Sequence, residues 1–113
     1  MNVETIREYC LTKENAEEGF PFEEGTLVFK VNGKIFLLLS LDASPLTFNA
    51  KCDPDYAIEL REEHENIIPG FHMNKKHWNT VIVDGTLSDK LLKSLIDGSY
   101  DLVKPKTKKT LDK

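Results

Sequence analysis

The chain has 113 residues, which gives room for one domain around one core and none for a second. Hydrophobic residues make up 40% and charged residues 30%, and no apolar run approaches the ~20 residues that a membrane-spanning helix needs, so a soluble chain is expected. The formal charge is −4 with a pI near 5.4, which argues against a strong, sequence-independent nucleic-acid binder, for which a basic domain would be expected.

The distribution of charge says more than its total. Met1 to Asn66 carries 14 acids and 6 bases, whereas Ile67 to Lys113 carries 5 acids and 9 bases. An acidic protein with halves of opposite sign has room for a local basic face. The opening Met-Asn-Val-Glu-Thr has no basic start followed by an apolar stretch, so there is no sign of a secretory signal and a cytoplasmic location is expected. Cys10 and Cys52 lie far apart with no CxxC pairing, which reads as two buried thiols rather than a disulfide framework.

The first element is a helix. Asn2 can cap it, Glu4 suits its positive first turn, and Val3, Ile6 and Cys10 share one face with Leu11 beside them, ending near Thr12. Glu14 to Gly25 holds five Glu and the Phe20-Pro21-Phe22 triplet, and reads as a loop whose aromatics tuck inward. Thr26 to Val31 alternates as a strand, Asn32-Gly33 supplies the positive φ angles of a two-residue hairpin turn, and Lys34 to Leu41 returns as a strand. In that return strand Ile35, Leu37 and Leu39 oppose Phe36 and Leu38, so both faces are apolar and a central position is expected. After a turn over Asp42 to Pro45, Leu46 to Lys51 alternates as a third strand.

Asp53-Pro54 starts a second helix, because an Asp cap accepts from orphan amides and Pro is tolerated at the first helical position. Ala57 and Leu60, with Tyr56, face inward, and Glu59, Glu62, Glu63 and Glu65 form a solvated acidic side to about Glu63 and just beyond. Ile67 to Phe71 and Trp78 to Val83 are short strands joined by a tip over Met73 to His77. Ser88 caps a third helix in which Leu92, Ile96, Tyr100 and Val103 recur at helical spacing, with Gly98 as the point where it could divide in two. The domain covers 1–104, and the Lys-rich stretch 105–113 is expected to be a mobile tail. Segregated elements in the order helix, three strands, helix, two strands, helix predict an α+β single domain with helices on an antiparallel sheet.

No G-x-G-x-x-G, Walker A loop, G-x-S-x-G or H-E-x-x-H occurs, so neither a cofactor nor a catalytic activity is expected. Cys52 followed by Asp53 could be paired with a distant His as nucleophile and base, but Asp53 and Asp55 are better explained by helix capping. His72, His77 and Cys52 match no common zinc spacing. The informative stretch is P-G-F-H-M-N-K-K-H-W, Pro69 to Trp78, with the only Trp, two of the three His, an adjacent Lys pair and no acid.

That stretch carries a family resemblance. K-C-D-P-D-Y-A-I-E-L-R-E (Lys51 to Glu62), I-I-P-G-F-H-M-N-K-K-H-W-N-T-V (Ile67 to Val81), S-Y-D-L-V (Ser99 to Val103) and the earlier T-L-V-F-K-V-N-G-K-I-F resemble the MmcQ/YjbR family of small bacterial proteins, from Val3 to about Lys104. The resemblance implies a fold like that of type III secretion chaperones and a DNA-binding role through two wing-like hairpins. Carried onto this chain, the wings are the Asn32-Gly33 hairpin, flanked by Lys30 and Lys34, and the segment His72 to Trp78. Lys75 and Lys76 would neutralise phosphates, Asn74 and Asn79 would donate to phosphate or base edges, and His77 or Trp78 would stack on a sugar or unpaired base. Four or so cations predict weak, salt-dependent binding with a slope of about −3 to −4, opposed by the acids from Glu59 to Glu65.

Three functional readings stand at this point: DNA binding, a chaperone-like adaptor for a protein partner, and a small-molecule regulator with a pocket of Trp78, His72 and Phe71. In a purely structural reading of the cluster, Trp78 and Met73 pack, the histidines anchor the loop and the lysines solvate it. With no heptad pattern or apolar surplus, a monomer is expected.

Overall fold

The computed structural model describes residues 1–20 and 25–105. Its elements in chain order are α1 (Val3–Leu11), β1 (Ala16–Gly19), β2 (Thr26–Val31), β3 (Lys34–Ser40), β4 (Leu46–Lys51), α2 (Pro54–Glu63), β5 (Ile67–Pro69), β6 (Trp78–Val83) and α3 (Asp89–Val103). The strands form one antiparallel sheet in the order β1-β2-β3-β4-β6-β5, with β3 in its interior as expected. The α+β single domain expected from the sequence is the fold found.

Each helix starts where a side chain can accept its orphan amides. The Asn2 side chain accepts from the Thr5 amide at 2.9 Å while the Thr5 hydroxyl accepts from the Asn2 amide at 2.8 Å. Asp53 and Ser88 do the same for α2 and α3, accepting from Tyr56 at 3.2 Å and Leu91 at 3.1 Å. The helices line one face of the sheet, where Ile6, Cys10, Leu60, Leu92 and Ile96 meet Phe29, Phe36, Leu37, Phe48 and Val81 in a continuous core. Gly98 does not divide α3: Leu92, Ile96, Tyr100 and Val103 are all buried along it, and their burial outweighs the ~1 kcal/mol that an interior glycine costs.

The segment expected to be a loop from Glu14 to Gly25 contains the edge strand β1. Ala16 pairs with Val31, Glu17 with Lys30, and Glu18 with Phe29. Ala-Glu-Glu-Gly has almost no intrinsic strand preference, so this strand is stabilised by tertiary contacts: its ladder to β2, and a two-point pairing of Arg7 on α1 with Glu18, at 2.7 Å and 2.5 Å. Charge at an exposed edge also discourages pairing with another chain. Phe20, expected to tuck inward, is instead 53% exposed. Pro21 and Phe22 lie outside the described residues, as does the tail from residue 106 onward.

The β2–β3 turn has Asn32 at φ 50° and Gly33 at φ 80°, the two positive angles expected of it. The strict alternation expected in β3 fails at one place. Phe29 pairs with Leu37 but Lys30 pairs with Ile35, so Phe36 is an extra, unpaired residue, and both Phe36 and Leu37 enter the core. On the other side of β3 the ladder to β4 stops at Leu37 opposite Ala50. The next rung, Phe36 opposite Lys51, is opened by Ser99 of α3. Its fully buried hydroxyl accepts from the Lys51 amide at 2.8 Å and donates to the Phe36 carbonyl.

Ser99→Ala should therefore destabilise the domain by about 1–3 kcal/mol, the cost of stranding a buried amide and a buried carbonyl. Chemical denaturation would check it, and a change of less than about 0.5 kcal/mol would show that the strands can close the rung directly.

Candidate nucleic-acid interface

Register sets where the charged hairpin tips lie. Val31 pairs with Lys34 beside the Asn32-Gly33 turn, Leu37 pairs with Ala50, and Lys51 pairs with Trp78. The β2–β3 tip, the C-terminal end of β4 and the loop from Gly70 to His77 thus emerge at the same end of the sheet. The two tips are separated by three strand spacings, roughly 14 Å. α2 begins at this end with Pro54 and runs away from it for about 15 Å. Glu62, Glu63 and Glu65 are consequently carried to the opposite end, and the acidic side of α2 expected to oppose a polyanion points away from the tips.

The loop is internally tied. The Asn74 side chain accepts from the Lys76 amide at 2.9 Å, and its carbonyl accepts from the amides of His77 and Trp78 at 3.2 Å and 3.0 Å. The Gly70 amide donates to the Trp78 carbonyl at 2.9 Å, and the Lys75 ammonium donates to the Gly70 carbonyl at 3.0 Å. The His77 carbonyl accepts from the Cys52 amide at 2.8 Å, which fastens the loop to the start of α2. His72, at φ 60°, turns the chain so that its ring lies against that of Phe71, with centroids 4.0 Å apart. Phe71 is 65% exposed, the most exposed of the large hydrophobic side chains among the described residues.

Of the residues expected to contact DNA, Lys34, His72, Asn74, Lys75 and Lys76 are exposed. Trp78 and His77 are half-buried, and Trp78 opens β6 as a boundary residue. Lys30 is half-buried directly across from Glu17 of β1, so its charge is opposed on the neighbouring strand. Asn79 is not a surface donor: it is 2% exposed, on the face of β6 that packs beneath the helices. Thr80, on the opposite face, instead receives the Phe71 amide at 2.8 Å and donates to Asn49.

Phe71, His72 and Met73 lie over Ile35, Leu38 and Asn49, bounding an open cleft of about 340 Å³. Trp78, expected in a pocket with Phe71 and His72, does not line it. Among the described residues no three His, Cys, Asp or Glu side chains come together as a metal site, and no helix is long and apolar enough to cross a membrane. Both cysteines are free. Burial pushes the Cys10 thiol up to about 12, with Lys13 pulling the other way. Cys52 is half-buried and raised by burial first and by Asp53 second.

Comparisons with known proteins converge on one family. A YjbR family profile matches residues 11–102. The Escherichia coli K12 protein YjbR is 31% identical over 100 residues, covering 88% of this chain and 85% of that protein. YbdF of Escherichia coli O157:H7 is 38% identical over 100 residues, covering 88% and 82%. Among solved structures, a Deinococcus radiodurans protein with a DUF419 domain superposes with a TM-score of 0.87 at 42% identity, covering 99% of this chain and 83% of that one. A Pseudomonas syringae protein gives 0.81 at 29% identity, covering 92% and 100%.

Two outcomes follow from the loop. A Cβ at Gly70 would lie 2.9 Å from both the Cβ and the carbonyl oxygen of Trp78, so Gly70→Ala should cost about 1–3 kcal/mol and red-shift Trp78 fluorescence as the loop separates from β6. At pH 8 a thiol reagent should modify Cys52 in the native protein and reach Cys10 only on unfolding. Equal native rates for the two thiols would contradict the burial described.

Proposed function

The chain belongs to the YjbR family, and we propose that it is a non-catalytic nucleic-acid-binding protein that engages DNA with the end of the sheet bearing both hairpin tips. The observation that carries this reading is the segregation of charge. Lys34, Lys75 and Lys76 stand at one end with no acid in the His72 to Trp78 segment, while Glu62, Glu63 and Glu65 lie at the other; Asp53 and Asp55, at the start of α2, are acids that share the tip end. The ~14 Å between the tips is comparable with the ~12 Å width of the B-DNA major groove. The exposed Phe71-His72 ring pair is suited to stacking on an unpaired base, a contact available in single strands and at duplex ends.

Affinity on this reading is low. With Lys30 opposed by Glu17, three cations remain, for a salt slope of about −2 to −3, short of what a protein with many phosphate contacts shows. An adaptor role for a protein partner is the second reading, and it rests on the same exposed Phe71.

Fluorescence anisotropy at low salt with labelled duplex and single-stranded DNA tests the proposal. Lys34→Glu with Lys76→Glu should weaken both by about tenfold or more, and Phe71→Ala should weaken the single strand more than the duplex. No binding at tens of micromolar protein, or an affinity indifferent to the double charge reversal, would sink the reading. A stoichiometric protein partner co-purifying without nucleic acid would favour the adaptor.

A further inference from the structure

On the helical face of the sheet α2 packs over β5 and β6 while α3 packs over β3 and β4. The seam between β4 and β6 is left between them as a groove with a cavity of about 200 Å³. Ala50 and Asn79, a cross-strand pair, form its floor. Tyr56 and Leu60 form one wall, and Leu95, Gly98 and Leu102 the other. The groove is open because two of its positions are small: Ala50 offers only a methyl group, and a Cβ built on Gly98 meets nothing within 4 Å.

The lining surface is overwhelmingly apolar, and one polar side chain lies buried at its base. Asn79 is 2% exposed, and its side-chain amide donates to the Ala57 carbonyl at a long 3.4 Å. Its Oδ1 is fully buried and accepts from no group among the described residues. An acceptor withdrawn from water and left without a donor costs about 1–3 kcal/mol. It would be an expensive feature of a plain core, and is a specific one in a binding cavity, where a few placed polar groups among apolar walls orient a ligand.

We propose that this groove is a binding site for a small, neutral, ring-sized apolar molecule that carries one N–H or O–H donor. The volume sets the size: about 200 Å³ compares with the ~150 Å³ engineered cavity that accepts benzene in another protein. Asn79 Oδ1 supplies the single directional contact, and it calls for a donor rather than an acceptor. Lys51, Asp53 and Ser94 also line the groove; one Asp53 carboxylate oxygen caps α2 by accepting from the Tyr56 amide, and the Ser94 hydroxyl donates to the Leu91 carbonyl. Asp53 is exposed and Lys51 half-buried, so both charges stay in reach of water, and the polar atom buried at the base is Asn79 Oδ1. The site is independent of the DNA-binding reading, because Asn79 and Trp78 are successive residues on opposite faces of β6.

Titration of the ¹⁵N-labelled full-length protein with indole and, separately, 1-methylindole tests the site. Indole should shift the backbone signals of Gly98 and Cys52 and the side-chain amide of Asn79, and 1-methylindole, which has lost the donor, should bind about tenfold more weakly. Asn79→Leu should abolish the preference between the two. Gly98→Leu should fill the groove and stop both from binding, with a thermal midpoint equal to or above that of the parent, since glycine is replaced by a better helix former over open space. Absence of any shift with millimolar indole, shifts confined to the Phe71-His72 tip, or unchanged binding in a folded Gly98→Leu protein would overturn the proposal. These variants leave the hairpin tips intact, so a failure here is distinguishable from a failure of DNA binding.

Discussion

The hydroxyl of Ser99 is the joint on which the arrangement of the domain depends. Antiparallel ladders ordinarily close rung by rung until a turn or a strand end intervenes. Here the rung between Phe36 and Lys51 is opened by a helix side chain that satisfies both of its backbone groups. The bulge at Phe36 makes this possible, because the extra residue turns two consecutive aromatic and aliphatic side chains into the core and frees a carbonyl. The combination fixes the position of α3 along and across the sheet. With α3 held over β3 and β4, and α2 held over β5 and β6 by the chain that connects them, the seam between the two helices follows.

The same register decides how charge is distributed over the surface. A chain with a net charge of −4 has no general affinity for polyanions, so any such affinity must come from geometry that keeps acids away from one region. The Lys51–Trp78 register brings the two hairpin tips to a common end, and the direction of α2 takes its glutamates to the other. β1 and the start of α2 work partly against this, since they lay Glu17 beside Lys30 and leave Asp53 and Asp55 at the tip end. The edge strand trades some of the positive character of the first hairpin for a charged sheet edge that resists pairing with a second molecule.

What could be read from the residues was what local chemistry dictates. The caps at Asn2, Asp53 and Ser88, the Asn32-Gly33 turn and the tip between β5 and β6 each rest on a few adjacent side chains with one inexpensive conformation. What could not be read was non-local. Ala-Glu-Glu-Gly becomes a strand because β2 and Arg7 are beside it, neither of which its own composition implies. The bulge at Phe36 depends on a serine 63 residues away. Asn79 is a different case, for the signal was present: it alternates in phase with Val81 and Val83, and a period of two assigns it to the core. Its polarity, and its place after a run of basic and aromatic residues, pointed to the surface instead.

That phase gives β6 two distinct roles. Trp78 and Thr80 face the side over which the Phe71 to Met73 loop folds, and Asn79, Val81 and Val83 face the helices. A single strand thereby anchors the tip loop through the Thr80 hydroxyl and floors the groove through the Asn79 amide, one residue apart. The coupling between the two faces is structural. A shift of β6 along β4 by one residue would expose Asn79, bury Trp78 and move the tip out of line with the first hairpin together. The two faces can therefore hold different ligands, but neither can be rearranged alone. The groove's small floor at Ala50 and its glycine wall at Gly98 leave space without disturbing that register, which is why a ligand can enter there while the sheet stays as it is.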